Sequence, residues 1–389
     1  MKKIKDFYLP DYNGGSIVNL MSSISQSFGV KSQYKPLKIF PGNIKSKNVV
    51  LLVIDGLGYE YLRKSKSFLN DYLVGEMTST FLPTTACAAV SLMTGVAPQQ
   101  HGLSGWYMFF KELGVLSLSL PFSPKYGGRQ FSEHEIPIET VFDEKPFQSR
   151  IKNKAMCFTI NPRGFLKSDF NRQVGKDSEK LFYNNLEGFF RQIKRAISSS
   201  NRRKYIYCYW GNLDGIAHKK GIGSRKARSH FNELNKKLKK FIKGIKGTDT
   251  TLIITSDHGL VDTSLKYLIK IGKHPGLREC LTLPFCGDAR TAYCYVHSFK
   301  TKQFEKYVKT KLNKYVWMFK SEDLINKNYY GLGKPNPKLF DRVGDYVLVC
   351  KENYAFDNRF RFNKKPNIGH HGGVSKEEMI VPLVLVDVD

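Results

Sequence analysis

The sequence VVLLVIDG at residues 49–56 joins six apolar residues to a carboxylate, Asp55, and a glycine. The run is apolar at consecutive positions rather than at alternating ones. This pattern is typical of a strand that is buried on both faces of a parallel sheet. We therefore predict a central strand over residues 49–54, with Asp55 at its carboxyl end.

Two further runs have the same form. Residues 205–210, YIYCYW, are followed by Asp214, and residues 251–255, TLIIT, are followed by Asp257 and His258. Helical patterns lie between the runs, and the alternation of strands with helices is typical of an α/β sandwich. Functional groups gather at the carboxyl ends of the strands in such sheets, so we predict that Asp55, Asp214 and Asp257 lie close together.

Apolar spacing predicts two helices and a last strand. The first helix is expected to be capped by Asp177-Ser178 and to carry Leu181, Phe182, Leu186, Phe189, Phe190, Ile193 and Ile197. The second carries Phe231, Leu234, Leu238, Phe241 and Ile242, with lysines on its opposite face. Residues 379–386 are predicted to form a strand that Pro382 places near a sheet edge.

Two segments do not follow this alternation. Residues 106–150 are rich in Phe, Ser, Pro and Gly, and residues 260–343 are irregular around a helix-like stretch at residues 302–314. We expect one catalytic domain over residues 1–389, with both segments as insertions beside the active site.

The composition excludes several classes of protein. The chain has 389 residues, of which 41% are hydrophobic and 25% charged, so it is neither disordered nor too short for a large core. Seven cysteines without a CxxC pair exclude a disulfide scaffold. The basic start at residues 1–5 leads into no apolar signal segment, and no apolar run could span a membrane. We expect a soluble, cytoplasmic protein.

The strong positive charge leaves two interpretations open. Lys and Arg number 62 against 34 Asp and Glu, which gives a net charge of +28. Because the lysines are spread over the whole chain, they are typical of a solvated surface. The alternative is a role in attracting an anionic substrate or in binding a polyanion such as nucleic acid.

Several acidic and imidazole side chains have the spacing of metal ligands. Asp214 and His218 lie four residues apart and would share one helical face. Asp257-His258 follows a strand, His370-His371 precedes two glycines, and Asp55 adds a further carboxylate. No element is specific by itself, but together they could hold two divalent ions, zinc first and manganese as the alternative.

Two adjacent threonines are candidate nucleophiles. Residues 81–95, FLPTTACAAVSLMTG, predict a turn that enters a helix of small residues. A threonine hydroxyl at this helix N-terminus would lie where an anion is favoured, and a divalent ion would activate it. By itself, the turn favours the simpler interpretation, in which Thr84 or Thr85 serves only as the helix cap.

The ordered set of motifs resembles the type I phosphodiesterase/nucleotide pyrophosphatase family of the alkaline phosphatase superfamily. The motifs are Ile54-Asp55-Gly56, Pro83-Thr84-Thr85, Thr94-Gly95, Asp214 with His218, Asp257-His258-Gly259 and His371-Gly372-Gly373. The resemblance implies an alkaline-phosphatase-like fold and a dimetal phosphodiesterase or pyrophosphatase acting on a small anionic phosphodiester or nucleotide. It implies no oligomeric state.

The resemblance also implies roles for individual residues. Asp214, His218 and His371 would bind one metal ion, and Asp55, Asp257, His258 and the Thr85 oxygen would bind the other. Thr85, nine residues before Thr94, would attack phosphorus and form a phosphothreonine. His370 and His101 are not expected to be ligands, and Cys87 lacks the sequence context of a sulfatase cysteine.

One position departs from the family and widens the range of functions. Three residues after Thr85, where typical nucleotide pyrophosphatases have an asparagine, the chain has Ala88. Arg290 or a lysine is a candidate for the phosphate contact, and an ordinary surface ion pair is the alternative for Arg290. The substrate class is therefore open between a phosphodiester and, on the same fold, a phosphomonoester or phosphonate.

Overall fold

A computed structural model describes residues 6–357 and 365–389 of the chain. Residues 1–5, on which the expectation of no signal segment partly depends, lie outside this range. The described helices are α1 (Ile17–Ser27), α2 (Tyr59–Lys64), α3 (Thr85–Thr94), α4 (Pro98–His101), α5 (Phe147–Ile151), α6 (Asp169–Val174), α7 (Leu186–Ile197), α8 (Asn212–Lys220), α9 (Arg225–Lys243), α10 (Pro275–Arg278), α11 (Thr301–Tyr307), α12 (Ser321–Asn326), α13 (Pro337–Arg342) and α14 (Lys376–Met379).

The described strands form two large sheets and two small ones. They are β1 (Asn48–Ile54), β2 (Leu73–Thr78), β3 (Tyr107–Phe110), β4 (Val115–Leu118), β5 (Ser123–Pro124), β6 (Met156–Pro162), β7 (Glu179–Tyr183), β8 (Lys204–Trp210), β9 (Thr250–Thr255), β10 (Val261–Asp262), β11 (Leu268–Lys270), β12 (Cys286–Gly287), β13 (Thr291–Cys294), β14 (Val316–Lys320), β15 (Tyr346–Cys350), β16 (Ala355–Asp357), β17 (Gly369–His370) and β18 (Ile380–Val388). The two-stranded sheets pair β10 with β17 and β11 with β16.

The central sheet confirms the predicted α/β architecture. Its strand order is β2-β18-β9-β1-β8-β6-β7, and the five strands from β9 to β7 in this order are parallel to one another. Strand β1 lies between β8 and β9, so the three carboxylate-bearing strands are adjacent. Strand β18 is antiparallel to β9 and to the edge strand β2, so Pro382 lies one strand from the edge, as expected.

Both faces of the central sheet are buried, which explains the unbroken apolar runs. Val49, Leu51 and Val53 of β1 pack into one hydrophobic cluster with residues of α1 and α3. The alternate residues of β1 pack on the other face with residues of α7 and α9. Helix α9 confirms the second predicted helix.

The first predicted helix begins later than expected. Leu181 and Phe182 belong to strand β7, which pairs in parallel with β6, and helix α7 starts only at Leu186. Asn185 is the actual N-cap, because its side chain accepts a hydrogen bond of 2.8 Å from the backbone N–H of Gly188. The prediction was wrong because the apolar residues of β7 have, by chance, the spacing that continues the apolar face of α7.

The two segments expected to be irregular insertions contribute strands to a second sheet. Its order is β14-β15-β13-β12-β3-β4-β5, and its neighbouring strands are antiparallel. Strands β3–β5 come from residues 106–150, and β12–β14 come from residues 260–343. The sheet also includes β15 (Tyr346–Cys350), which lies after residue 343, the predicted end of the second segment. The alternation of apolar and polar residues that is typical of strands was not detected, because several of these strands have only two to four residues.

No helix within the described residues has both the length and the apolar character needed to cross a membrane. Every cysteine of the chain is buried and unpaired, as expected for a protein without a disulfide scaffold.

Arg290 forms a buried ion pair, which corrects both the expected phosphate contact and the alternative of a surface ion pair. Its Nε donates to Glu378 Oε1 at 2.8 Å, and both side chains are at most 1% exposed. Its other nitrogens donate to the carbonyls of Glu352 and Tyr354. Since Glu378 also accepts from the backbone N–H of Gly373, the pair anchors the turn that follows His371.

We predict that Arg290→Ala lowers the free energy of unfolding by about 3–5 kcal/mol, because it leaves the Glu378 carboxylate buried without its charge partner. The control is Lys111→Ala, which removes an ion pair to Asp341 whose side chains are 66% and 44% exposed. This change should cost less than about 1 kcal/mol. Urea unfolding measures both values, and equal losses would contradict the structural role of Arg290.

Candidate active site

The three predicted carboxylates meet at one edge of the central sheet. Asp55 directly follows β1, Asp257 lies two residues beyond β9, and Asp214 lies in the first turn of α8, which follows β8. Relative exposures of 2% for Asp55, 0% for Asp257 and 9% for Asp214 show that all are buried. The adjacency of β8, β1 and β9 is therefore the cause of their convergence.

Asp55, Asp257 and His258 form a first group that could hold a metal ion. One donor atom of each residue lies within 4.8 Å of the others. His258 Nε2 is 3.3 Å from Asp55 Oδ1 and 3.5 Å from Asp257 Oδ2. The second carboxylate oxygen of Asp55 accepts a hydrogen bond from the Tyr209 hydroxyl, which fixes the orientation of Asp55.

Asp214, His218 and His371 form a second group of the same kind, again with donor atoms within 4.8 Å of one another. His218 lies one turn after Asp214 on α8, and its Nε2 is 3.3 Å from Asp214 Oδ2. His371 connects the two groups, because its ring centroid is 3.9 Å from that of His258 and 5.1 Å from that of His218.

The histidines are oriented by backbone carbonyls. His218 Nδ1 is 2.8 Å from the carbonyl of Gly369, and His258 Nδ1 is 3.1 Å from that of Gly259. A carbonyl can only accept a hydrogen bond, so a neutral ring would satisfy it with the proton on Nδ1. Each Nε2 then keeps a lone pair directed at its group, the arrangement common among metal-ligating histidines.

The donor atoms themselves fit divalent cations. Among the described residues, Asp55 Oδ1, Asp214 Oδ1, Asp257 Oδ2 and His371 Nδ1 are buried without a hydrogen-bond partner. Burial, with the Asp257 carboxylate, raises the pKa of Asp55 well above its usual value, and burial also raises the pKa of Asp214. Burial, with His258, holds the pKa of His371 well below its usual value. A cation in each group would balance the carboxylates and accept the imidazole lone pairs.

Thr84 and Thr85 point to different partners. Thr85 is the first residue of α3, and its Oγ1 lies 3.2 Å from His258 Nε2. Thr84 occupies the N-cap position, but its side chain makes no cap hydrogen bond and instead donates to Asp288 Oδ2 at 2.6 Å. The structure therefore places Thr85 beside the first candidate metal-binding group and Thr84 away from it.

A cavity of about 540 Å³ opens onto both groups and onto Thr85. Its walls include Trp106 and Tyr107, which the sequence could not distinguish from core residues. They also include side chains that sequence reasoning missed: Asp288, Asn161, Asn171, Phe165 and Phe170. The missed residues lie outside any recognisable motif. Only the position of Asn161 at the carboxyl end of β6 could have indicated it.

The neighbouring residues that were not expected to be ligands lie outside both groups. His101 is buried, and its Nε2 lies 3.1 Å from Ser91 Oγ while its Nδ1 accepts the N–H of Leu103. Burial lowers the pKa of His101 to about 3. His370 Nε2 lies 3.2 Å from the Asn367 carbonyl, and the Cys87 thiol and Ala88 are fully buried.

The fold and the family match together define a class of protein, the alkaline phosphatase superfamily. Within this class the assignment is narrower. The profile of the type I phosphodiesterase/nucleotide pyrophosphatase family matches residues 49–374, and the chain belongs to this family. The resemblance predicted from the motifs is thus confirmed.

Individual relatives are distant. Human ectonucleotide pyrophosphatase/phosphodiesterase family member 5 is 24% identical over 241 residues, which are 59% of this chain and 48% of the human protein. The match thus spans about half the length of that relative.

Solved structures share the fold. Murine ectonucleotide pyrophosphatase/phosphodiesterase 5, also solved as an inactive variant in complex with AMP, has 19% identity and a TM-score of 0.66 over 86% of this chain and 87% of its own. Phosphonoacetate hydrolase from Sinorhizobium meliloti 1021, in complex with phosphonoformate, has 16% identity and a TM-score of 0.63 over 87% of this chain and 89% of its own.

We predict that divalent metal raises the melting temperature of the chelator-treated protein, because ligand binding to the folded state adds stability. Asp257→Asn should reduce this gain, since an amide is a weaker ligand. It should also leave the metal-free protein at least as stable as the wild type, since it removes one repelling charge. Calorimetry with zinc and with manganese measures both effects.

His101→Gln is the matched control for the metal prediction, because His101 is a buried histidine outside both groups. It should keep the full metal-dependent gain. The assignment of the two groups is wrong if Asp257→Asn gains as much as the wild type, or if His101→Gln loses the gain.

Proposed function

We propose that the protein is a dimetal-dependent phosphodiesterase or nucleotide pyrophosphatase that works through a phosphothreonine on Thr85. The single observation that supports this proposal most strongly is the position of Thr85 Oγ1. It lies at the N-terminus of α3 and 3.2 Å from His258 Nε2, beside two groups of carboxylate and imidazole donors.

The two groups would each hold one cation, with zinc as the expected ion and manganese as the alternative. Asp55, Asp257, His258 and the Thr85 oxygen would bind the first ion, and Asp214, His218 and His371 would bind the second. Such a pair of ions, when bound, lowers the pKa of the attacking oxygen and neutralises charge on the attacking and leaving oxygens.

The chain's own residues would determine the direction of attack. Thr85 Oγ1 would form a bond to phosphorus as the bond to the leaving oxygen breaks, and the phosphoryl group would remain on Thr85. The N-terminus of α3 favours the negative charge of that group. Water would then attack phosphorus and release the phosphorylated product with a free Thr85 hydroxyl. Two in-line displacements give net retention of configuration at phosphorus.

The cavity favours a phosphodiester over a small phosphonate or a phosphomonoester. About 540 Å³ is within the range of cavities that hold nucleotide-sized molecules, and the walls include the aromatic rings of Trp106, Tyr107, Phe165 and Phe170. The binding of AMP by the inactive variant of the murine protein supports a nucleotide as part of the substrate. Flat aromatic rings are suited to stack on a base.

The experiment compares bis-p-nitrophenyl phosphate with p-nitrophenyl phosphate as substrates of the metal-loaded enzyme. A higher kcat/KM for the diester, lost with a chelator and restored by zinc or manganese, is the expected result. Preference for the monoester or for phosphonoacetate would favour the alternative enzymes on this fold. Activity in the absence of metal would contradict the dimetal proposal.

The polyanion-binding alternative gives a different result. A protein that uses its net charge of +28 to bind nucleic acid would bind without metal, and its affinity would fall steeply with salt. It would not hydrolyse either ester. The close grouping of the metal-ligand candidates favours the enzyme.

We predict that Thr85→Ala lowers kcat by several orders of magnitude, because no attacking oxygen remains. Thr85→Ser is the matched control and should retain part of the rate, since it keeps a hydroxyl at the same position. Acid-quenched wild-type enzyme should carry phosphate on Thr85 by peptide mass spectrometry. Phosphate on Thr84, or normal turnover by Thr85→Ala, would show that the nucleophile is wrongly assigned.

A further inference from the structure

Asp288 is a largely buried carboxylate beside the candidate active site, and none of the sequence motifs includes this residue. It lies in the turn between β12 and β13 of the second sheet, and its side chain is 11% exposed. Its backbone N–H donates to the Thr291 carbonyl at 2.8 Å, and its Oδ1 accepts the N–H of Ala289 at 2.7 Å. These bonds hold the side chain in one orientation and leave Oδ2 directed at the active site.

Oδ2 of Asp288 is hydrogen-bonded to Thr84, the residue that precedes the candidate nucleophile. It accepts a hydrogen bond of 2.6 Å from the hydroxyl of Thr84, which is fully buried. A hydrogen bond to a carboxylate is stronger than one between neutral groups. Because Thr84 is the N-cap of α3, the bond fixes the point at which the chain enters the helix that begins with Thr85.

The same carboxylate oxygen faces a candidate metal ligand on the opposite side. Asp288 Oδ2 lies 3.8 Å from His371 Nδ1. The backbone after His371 packs so closely that a Cβ at Gly372 would lie 2.8 Å from the Cβ of Asp288. Thr291, the first residue of β13, donates to the Gly372 carbonyl at 2.6 Å.

We propose that Asp288 is a positioning residue that sets the placement of Thr85, through Thr84, relative to the His371 metal ligand. The inference rests on the proposed function and deepens it. The second sheet would thereby control the geometry between the nucleophile and the second metal-binding group. Asp288 would orient the Thr85 hydroxyl through Thr84 and place its negative charge 3.8 Å from the His371 imidazole, without itself forming a bond to phosphorus.

A double-mutant cycle tests the connection to Thr84. Thr84→Val removes the hydroxyl with little change of shape, and Asp288→Ala removes its acceptor. Each should lower kcat for bis-p-nitrophenyl phosphate by roughly tenfold to a hundredfold with a smaller change in KM. The double variant should be no slower than the slower single variant, because both changes break one interaction. Thr84→Ser keeps the hydroxyl and should stay within about threefold of the wild type.

Zinc titration of the metal-free protein tests the connection to His371. Asp288→Asn keeps an acceptor for Thr84 but removes the charge. It should therefore weaken one of two zinc-binding events about tenfold while retaining more kcat than Asp288→Ala. Thr84→Val should bind both ions as the wild type does. Circular dichroism melting verifies that each variant is folded. If Asp288→Ala does not fold, the result for Asp288→Asn tests the proposal instead.

Two results would overturn the proposal: losses of kcat that multiply in the double variant, or zinc affinities unchanged in Asp288→Asn. A wild type that binds zinc but hydrolyses no ester would instead refute the proposed function. In that case the zinc titration of Asp288→Asn still decides whether the carboxylate supports His371.

Discussion

The repulsion among three buried carboxylates is the constraint on which the candidate site depends. Asp55, Asp214 and Asp257 are brought to one sheet edge because β8, β1 and β9 are neighbours, and none of them has a lysine or arginine as an ion-pair partner among the described residues. Burial, together with the Asp257 carboxylate, penalises the charged forms of Asp55 and Asp214 and raises the pKa of both. Divalent cations would remove this penalty, so the same feature that destabilises the metal-free protein would give the proposed site its affinity for metal.

The surrounding structure holds the donor atoms in place from several directions. Tyr209 orients Asp55 from the central sheet, and the Gly369 carbonyl orients His218. The buried Arg290–Glu378 pair stabilises the turn after His371. The second sheet thus supports the site through Arg290 and Asp288, although the catalytic candidates all come from the central sheet, its helices and the His371 turn.

The sequence predicted the parts of the molecule that follow regular patterns. Continuous apolar runs predicted β1, β8 and β9, and their terminal carboxylates predicted where the site lies. The family motifs then indicated which histidines join the carboxylates, and the structure brings these residues into two groups. Short elements and long-range contacts could not be predicted in this way. Strands of two to four residues are too short to show a periodic pattern. The apolar residues of β7 matched the helical spacing of α7, so this strand was predicted as part of the helix.

Arg290 and Asp288 show a second limit of sequence reasoning. Both are polar residues two positions apart in one turn, and nothing in the local sequence indicates their partners, Glu378 and Thr84, which lie 88 and 204 residues away. A phosphate contact was a reasonable expectation for Arg290 because arginine commonly binds phosphate. Its burial against Glu378 depends on contacts between segments that lie far apart in the sequence.

Anomalous diffraction at the zinc edge, from crystals grown with zinc, tests the central claim most directly. We expect two peaks roughly 4 Å apart, a spacing common in dimetal hydrolases. One peak should lie within bonding distance of Asp55, Asp257 and His258, and the other of Asp214, His218 and His371. A zinc-saturated crystal with no peak at these residues would contradict the proposed two-metal site.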